Sequence, residues 1–174
     1  MVDGLLDFGR IERDLLPNVS RMEVEVDPWL DQFEARERAR CAAAGCALSV
    51  ERGGPLGSAH LDVGALERAL SNLVDNALKH AHSDAIRLRT QIEVQGILTF
   101  EVQDAGRGLP RGTVHESLFQ PFRRKGEAGG TGLGLTIVRA IAKAHGGSAS
   151  LAAGPNGNGV CATLRIKTTE DSAA

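Results

Sequence analysis

The sequence contains no tyrosine and a single tryptophan, Trp29, and aromatics make up only 3% of its 174 residues. A surface that stacks nucleic-acid bases needs more rings than that. It also lacks the excess charge that would draw a polyanion. Twenty Lys and Arg stand against 22 Asp and Glu, a formal net charge of −2, so nucleic acid is not an expected partner. Cysteine is scarce: Cys41, Cys46 and Cys161 are an odd number with no CxxC spacing. That argues against a disulfide scaffold or a zinc cluster and reads as reduced thiols in a cytoplasmic protein. No apolar run approaches the ~18 residues of a membrane span. The start, Met1-Val-Asp-Gly, has neither the basic region nor the apolar core of a signal peptide. The expectation is a fragment without membrane contact of its own, which leaves a larger, membrane-anchored parent open.

What is present is aliphatic. A hydrophobic share of 42% is enough for a core, and the length suits one domain with a short appendage. Apolar residues at 5, 8, 11 and 15 give a helical spacing that Pro17 ends. Met22, Val24 and Val26 alternate with Glu23 and Glu25 as in a strand. Asp27-Pro28 then reads as an N-cap and first helical position, with the helix running through Trp29, Leu30 and Phe33 to Gly45. Ala47 to Glu51 reads as a short strand and residues 52–58 as a loop. Asp62 can cap a helix whose stripe is Leu66, Leu70, Leu73, Ala77 and Ala81.

Two alternating strands follow, over residues 86–94 and 98–102, joined at Gln95-Gly96. Beyond them come a glycine-rich loop, a short helix near Val114–Leu118, and a second glycine-rich stretch. That stretch opens a helix ending at His145-Gly146-Gly147. The last two strands are Ser148–Ala153 and Val160–Lys167. In the second, Val160, Ala162, Leu164 and Ile166 face one way. The sum predicts a two-layer α/β sandwich: a mixed, largely antiparallel sheet packed against about three helices. Residues 168–174 read as a frayed polar tail.

Three segments carry chemistry. Asn72 and Asn76 stand one turn apart on the second predicted helix, with Lys79 further along the same face. Amide oxygens suit a hard cation such as Mg²⁺, and a lysine suits the phosphates that share it; a plain solvated helix face fits the same pattern. Asp104-Ala-Gly106-Arg-Gly108 follows a strand directly. Its glycines permit positive φ and a close ligand, and its carboxylate can accept from an amino group such as adenine's; an ordinary turn is the bland alternative. Gly130-Thr131-Gly132-Leu133-Gly134 enters a helix whose free amides can bind phosphate. It is neither a Walker loop nor a Rossmann fingerprint, because no Gly-Lys-Ser/Thr follows and no strand immediately precedes it.

In this order, the three segments resemble the catalytic ATP-binding domain of sensor histidine kinases. That family shares the Bergerat fold with gyrase, mismatch-repair and chaperone ATPases. Asn72 to Lys79 matches the asparagine box, and Asp104, Gly106 and Gly108 the Asp-x-Gly-x-Gly box. Leu118-Phe119-Gln-Pro121-Phe122 matches the phenylalanine box, and Gly130, Gly132 and Gly134 the last glycine box.

The resemblance implies that Asn76 holds Mg²⁺, Asn72 assists beside the phosphates and Lys79 touches them. Asp104 would read adenine, with Gly106, Gly108 and Leu109 shaping the pocket and His80 beside it. Phe119 and Phe122 would anchor a short basic lid, with Arg123 able to reach a phosphate. Gly130, Thr131, Gly132, Leu133, Gly134 and Leu135 would line the phosphate end, and Thr163 the last strand. ATP and Mg²⁺ are the implied substrate and cofactor.

ATPases of this fold carry Glu where this chain has Asn72, and an amide cannot activate water. Transfer to a protein side chain is therefore expected over hydrolysis. None of His60, His80, His82, His115 and His145 has the family's acceptor context. The implied partners are a dimerisation and phosphoacceptor hairpin and, downstream, a response regulator receiver domain. The implied layout is the end of a dimerisation helix over residues 1–19, a catalytic domain over 20–167 and a tail over 168–174. A nucleotide-binding switch without transfer activity remains the competing reading.

Overall fold

The computed structural model describes residues 19–80, 84–93, 95–109, 115–121 and 132–169. Strand β1 (Met22–Glu25) leads into helix α1 (Val26–Ala43), followed by β2 (Ala47–Arg52), β3 (Ser58–Leu61) and α2 (Val63–His80). Then come β4 (Ala85–Glu93), β5 (Ile97–Asp104), a 3-10 turn (His115–Phe119) and α3 (Gly134–Ala144). A hairpin of β6 (Ser148–Ala153) and β7 (Val160–Lys167) closes the order. Five strands lie in the order β2-β4-β5-β7-β6, and only β2–β4 is parallel; β1 and β3 form a separate antiparallel pair. Three helices and a mixed sheet are the architecture expected from the sequence.

The core is aliphatic. Leu66, Ala69, Leu70, Leu73, Val74 and Ala77 of α2 are buried, as are Leu98, Phe100 and Val102 of β5 and Leu164 and Ile166 of β7. Trp29 of α1 meets Phe100 edge-on, with ring centroids 6.3 Å apart. This contact marks the helix-covered face of the sheet. Asp62 caps α2 as expected: its Oδ1 accepts from the Ala65 N–H at 2.9 Å. The β4–β5 link also agrees, with Gln95 at φ 73° and Gly96 at φ 68°; two successive positive φ values match the right-handed twist of the flanking strands.

Three local readings change. Helix α1 starts at Val26, ahead of the expected Asp27 cap, because Val26 is fully buried and its N–H donates to Gly57 O at 2.8 Å. The Asp27 carboxylate turns outward to the Leu56 and Gly57 amides and to Arg52. Pro28 is then tolerated because first-turn N–H groups have no helical partner. Residues 58–61, of which the sequence reading assigns only Ser58, to the end of the loop, form β3, held by pairing with β1. Finally, Thr168 is not part of a frayed tail. It is 8% exposed, its N–H and hydroxyl both donate to Gly96 O, and its carbonyl accepts from His60 N–H. The predicted N-terminal helix and residues 170–174 lie outside the described residues.

His145 is wholly buried at the end of α3. Its Nδ1 faces Ile141 O at 2.9 Å and its Nε2 faces Asp62 N–H at 3.2 Å. A carbonyl can only accept and an amide can only donate, so the ring is neutral with its proton on Nδ1. Burial pushes its pKa below the ordinary 6.5; neighbouring Arg21 lowers it further, while the hydrogen bond to Ile141 and the Asp62 charge oppose. The unfolded chain therefore takes up a proton that the folded chain resists. This contribution is fully present above pH 6.5 and shrinks as pH falls below it. Denaturant unfolding is expected to show lower stability near pH 5.5 than near pH 7.5. His145→Gln should flatten that difference, and an unchanged difference would show that the ring does not cause it.

Candidate active site

Helix α2 places Asn72 and Asn76 on one side, one turn apart, beside the stripe of Leu66, Leu70, Leu73 and Ala77 that is committed to the core. The Asn72 Nδ2 donates to Arg68 O at 2.9 Å. Its Oδ1 faces the start of α3, where a Cβ on Gly134 would stand only 3.2 Å away. The two predicted segments therefore touch, and only glycine fits there without displacing the amide. Asn76 is half-buried and its Nδ2 has no hydrogen-bond partner among the described residues. A buried donor without a partner costs free energy, which suits a side chain kept for a ligand. Lys79 is half-exposed, with Nζ 3.8 Å from Asp75, and Asp75 is also held by Arg40 at 2.9 Å.

Asp104 ends β5 on the helix-covered face and is 7% exposed. Its Oδ1 accepts from the Gly106 N–H at 2.9 Å and the Val160 N–H at 3.3 Å. Oδ2 takes part in neither bond, so the carboxylate is oriented with one oxygen left for a ligand. Gly108, at φ 72°, packs where a Cβ would meet Gly159 O at 3.2 Å. Leu109 is half-buried beside it.

The start of α3 has no side-chain cap: Leu133 occupies the cap position and Gly132 precedes it at φ 70°. Its first amides are thus unclaimed by any capping side chain, the arrangement that attracts anions. The hydroxyl of Thr136 is turned elsewhere, to Phe119 O at 3.0 Å. Phe119 is buried, with the Arg139 guanidinium 5.6 Å from its ring centre.

The family model described as "Histidine kinase-, DNA gyrase B-, and HSP90-like ATPase" matches residues 61–170, more than half of the sequence. The chain belongs to this family. Its relatives are sensor kinases. The sensor protein KdpD of Escherichia coli (strain K12) is 39% identical over 168 residues, covering 92% of this chain and 18% of KdpD. The sensor-like histidine kinase SenX3 of Mycolicibacterium smegmatis is 32% identical over 173 residues, covering 95% of this chain and 44% of SenX3. The chain therefore spans less than half the length of either relative.

Among solved structures, full-length ShkA in complex with AMPPNP superposes with a TM-score of 0.76 at 24% identity, covering 95% of this chain and 36% of that one. The mycobacterial sensor histidine kinase MprB gives 0.69 at 25%, covering 86% of this chain and all of that one. The sheet and its three helices are the ATP-binding fold of sensor histidine kinases.

Within this histidine-kinase-like ATPase domain, two groups of predicted residues are assembled. Asn72 meets Gly134, and Asp104 meets Gly106. One expectation needs correction. Thr163 lies opposite Glu101 and Ser150 on the uncovered face of the sheet, away from Asp104, because neighbouring strand residues alternate faces. The Leu135 side chain is partly buried against the core. Phe122, Arg123, Gly130, Thr131 and the side chain of His80 lie outside what is described.

The residues that sequence reasoning missed as part of the site are Gly159 and Val160. Gly159 N–H donates to Gly106 O at 2.8 Å, and a Cβ on Gly159 would stand 1.9 Å from Asp104 O. The glycines at 154, 157 and 159 were the available signal, since dense glycine between strands marks a close backbone approach.

Proposed function

We propose that the chain binds ATP with Mg²⁺ and transfers its γ-phosphoryl group to a histidine on a dimerisation hairpin, as the catalytic module of a two-component sensor kinase. Residues 20–167 would be that module and residues 1–19 the end of a dimerisation helix. A receiver domain of a response regulator would act downstream. No helix among the described residues is long and apolar enough to cross a membrane, and a cytoplasmic module of an anchored parent is consistent with that.

The observation that carries the reading is Asn72. It stands one turn before Asn76 and against Gly134, at the phosphate end of the site. An amide there cannot take a proton from water. Its Nδ2 is also already committed to Arg68 O. Hydrolysis therefore lacks a base at this position, while transfer to an acceptor that carries its own base does not need one here.

The donors present fit Mg²⁺. Among the described residues no three His, Cys, Asp or Glu side chains converge on a metal position. A single neutral amide oxygen from Asn76 suits a cation whose other ligands are phosphates and waters. When bound, Mg²⁺ would supply charge neutralisation on the phosphate oxygens. The chain's own groups do the rest. Asp104 Oδ2 accepts from the adenine amino group, the amides at the start of α3 hold phosphate oxygens, and Lys79 swings from Asp75 to the phosphates. Each group acts by position and charge, the main contributions to phosphoryl transfer.

The test supplies the chain and its parent's hairpin in trans with γ-labelled ATP. Slow, acid-labile labelling of the hairpin histidine is expected; it is slow because separation removes the effective concentration a linker provides. ATP binding without labelling at high hairpin concentration would instead make the chain a nucleotide-dependent switch. Labelling of the chain alone would place an acceptor among its own five histidines.

A further inference from the structure

Away from the nucleotide site, one residue ties together three segments. Asp62 Oδ1 caps α2 through Ala65 N–H at 2.9 Å. Its Oδ2 accepts from Ser20 N–H at 3.0 Å, in the segment that leads into the domain. Its own N–H donates to His145 Nε2 at 3.2 Å, at the end of α3. Arg21, next along the chain, reinforces the same point. It donates to Ala144 O at 2.7 Å, one of the terminal carbonyls of α3, and to Thr169 O at 3.3 Å. A cation on those carbonyls also meets the negative end of the helix dipole.

The placement matters because α2 and α3 touch at two polar points. One is Asn72 against Gly134, inside the proposed site. The other is Asp62 against His145. Ten residues separate Asp62 from Asn72, and ten separate Gly134 from Ala144, about 15 Å of helix in each case at the helical rise. The helices therefore run antiparallel, bonded at the Asp62 end and in close contact at the Asn72 end of one shared length. Packed helices respond to a shift at one end as stiff bodies rather than by local give. Sliding α3 at the Asp62 end moves Gly134 along Asn72 at the other.

We propose that Asp62, with Arg21, is the joint through which the segment entering at Ser20 sets the register of α2 against α3, and thereby the nucleotide affinity of the site. The proposal rests on the nucleotide-binding reading above and names its regulation. Ser20 and Arg21 stand just ahead of β1, so a pull on the backbone at that point meets the joint first. Asp62 is here a positioning residue: it touches no ligand.

Asp62→Asn separates the joint from the cap. Asparagine caps a helix as well as aspartate does, so the Ala65 bond survives. Its amide nitrogen cannot accept from Ser20. Arg21→Gln removes the second tie, and Arg52→Gln serves as control. Arg52 bridges Asp27, Asp31 and Glu34 of α1 from β2 and touches neither site helix.

Calorimetry with Mg-ATP on the full chain is expected to show about fivefold weaker binding for each joint variant, in the range of allosteric couplings. The double variant should be no weaker than the weaker single one, since both cut one joint. The control should lose stability with unchanged affinity. Hydrogen exchange without nucleotide should quicken over residues 132–138 in the joint variants only.

Unchanged affinity and exchange in both joint variants would overturn the proposal, as would losses that multiply in the double variant. If the wild-type chain binds no ATP while the joint variants still exchange faster, the joint stands as a helix coupling and the nucleotide reading falls.

Discussion

Asn76→Ala is expected to lower labelling of the hairpin histidine by about a hundredfold or more, the scale for losing one charge-stabilising group at a reacting centre. The fold should not suffer. Alanine is the best helix former, and the substitution removes a buried Nδ2 that has no partner among the described residues. Thermal stability should therefore hold, or rise by up to about 1 kcal/mol, while function is lost. The nucleotide side of the prediction turns on the cation. ATP affinity should fall sharply in Mg²⁺ and little in EDTA, because the Asn76 oxygen is useful only where a cation bridges it to phosphate. Equal losses under the two conditions would remove Asn76 from the metal site.

Gly159→Ala should act through the backbone. Gly159 sits at φ 69°, and a Cβ there would lie 1.9 Å from Asp104 O and 2.9 Å from Asp104 Oδ1. Left-handed strain and overpacking against a main-chain atom together cost about 3–5 kcal/mol, enough to lower Tm by about 10 °C in a domain of this size. What survives should bind ATP poorly, because Asp104 must move to make room. Asp104→Ala is the contrasting variant. It adds no strain but leaves the Gly106 and Val160 amides without their acceptor, so it should cost less stability than Gly159→Ala, and it should cost about 1.5–3 kcal/mol of ATP affinity, the worth of a hydrogen bond to a charged group. Near-wild-type stability of Gly159→Ala in a denaturation series would refute the close packing of the two loops. Unchanged ATP affinity in Asp104→Ala would remove the adenine contact.

Much of this domain is readable residue by residue because its determinants are local. Asp62 caps α2 three residues ahead of Ala65, and the stripe from Leu66 to Ala77 keeps one helical period. Gln95-Gly96 supplies the two positive φ values that a tight hairpin between alternating strands requires. The asparagines, the glycine runs and Asp104 are equally visible, because the metal-, phosphate- and adenine-binding roles proposed for them would constrain residue types at short spacing.

Tertiary structure alone decided what depends on partners distant in the chain. β3 is four residues without a β-branched side chain, and it is a strand only because β1 lies beside it. Helix α1 begins early because Gly57, 31 residues on, receives the Val26 N–H. Alternation in β7 already put Thr163 opposite Ala162. Only the register Val102↔Ala162 shows that Asp104 shares a face with Ala162, so that Thr163 is on the wrong side. The contact of Asn72 with Gly134, the clamp of Val160 on Asp104 and the joint at Asp62 are long-range as well. Spacing in one dimension carries a period, a cap or a turn. It does not carry which two surfaces meet, because that is settled by burying all the apolar faces at once.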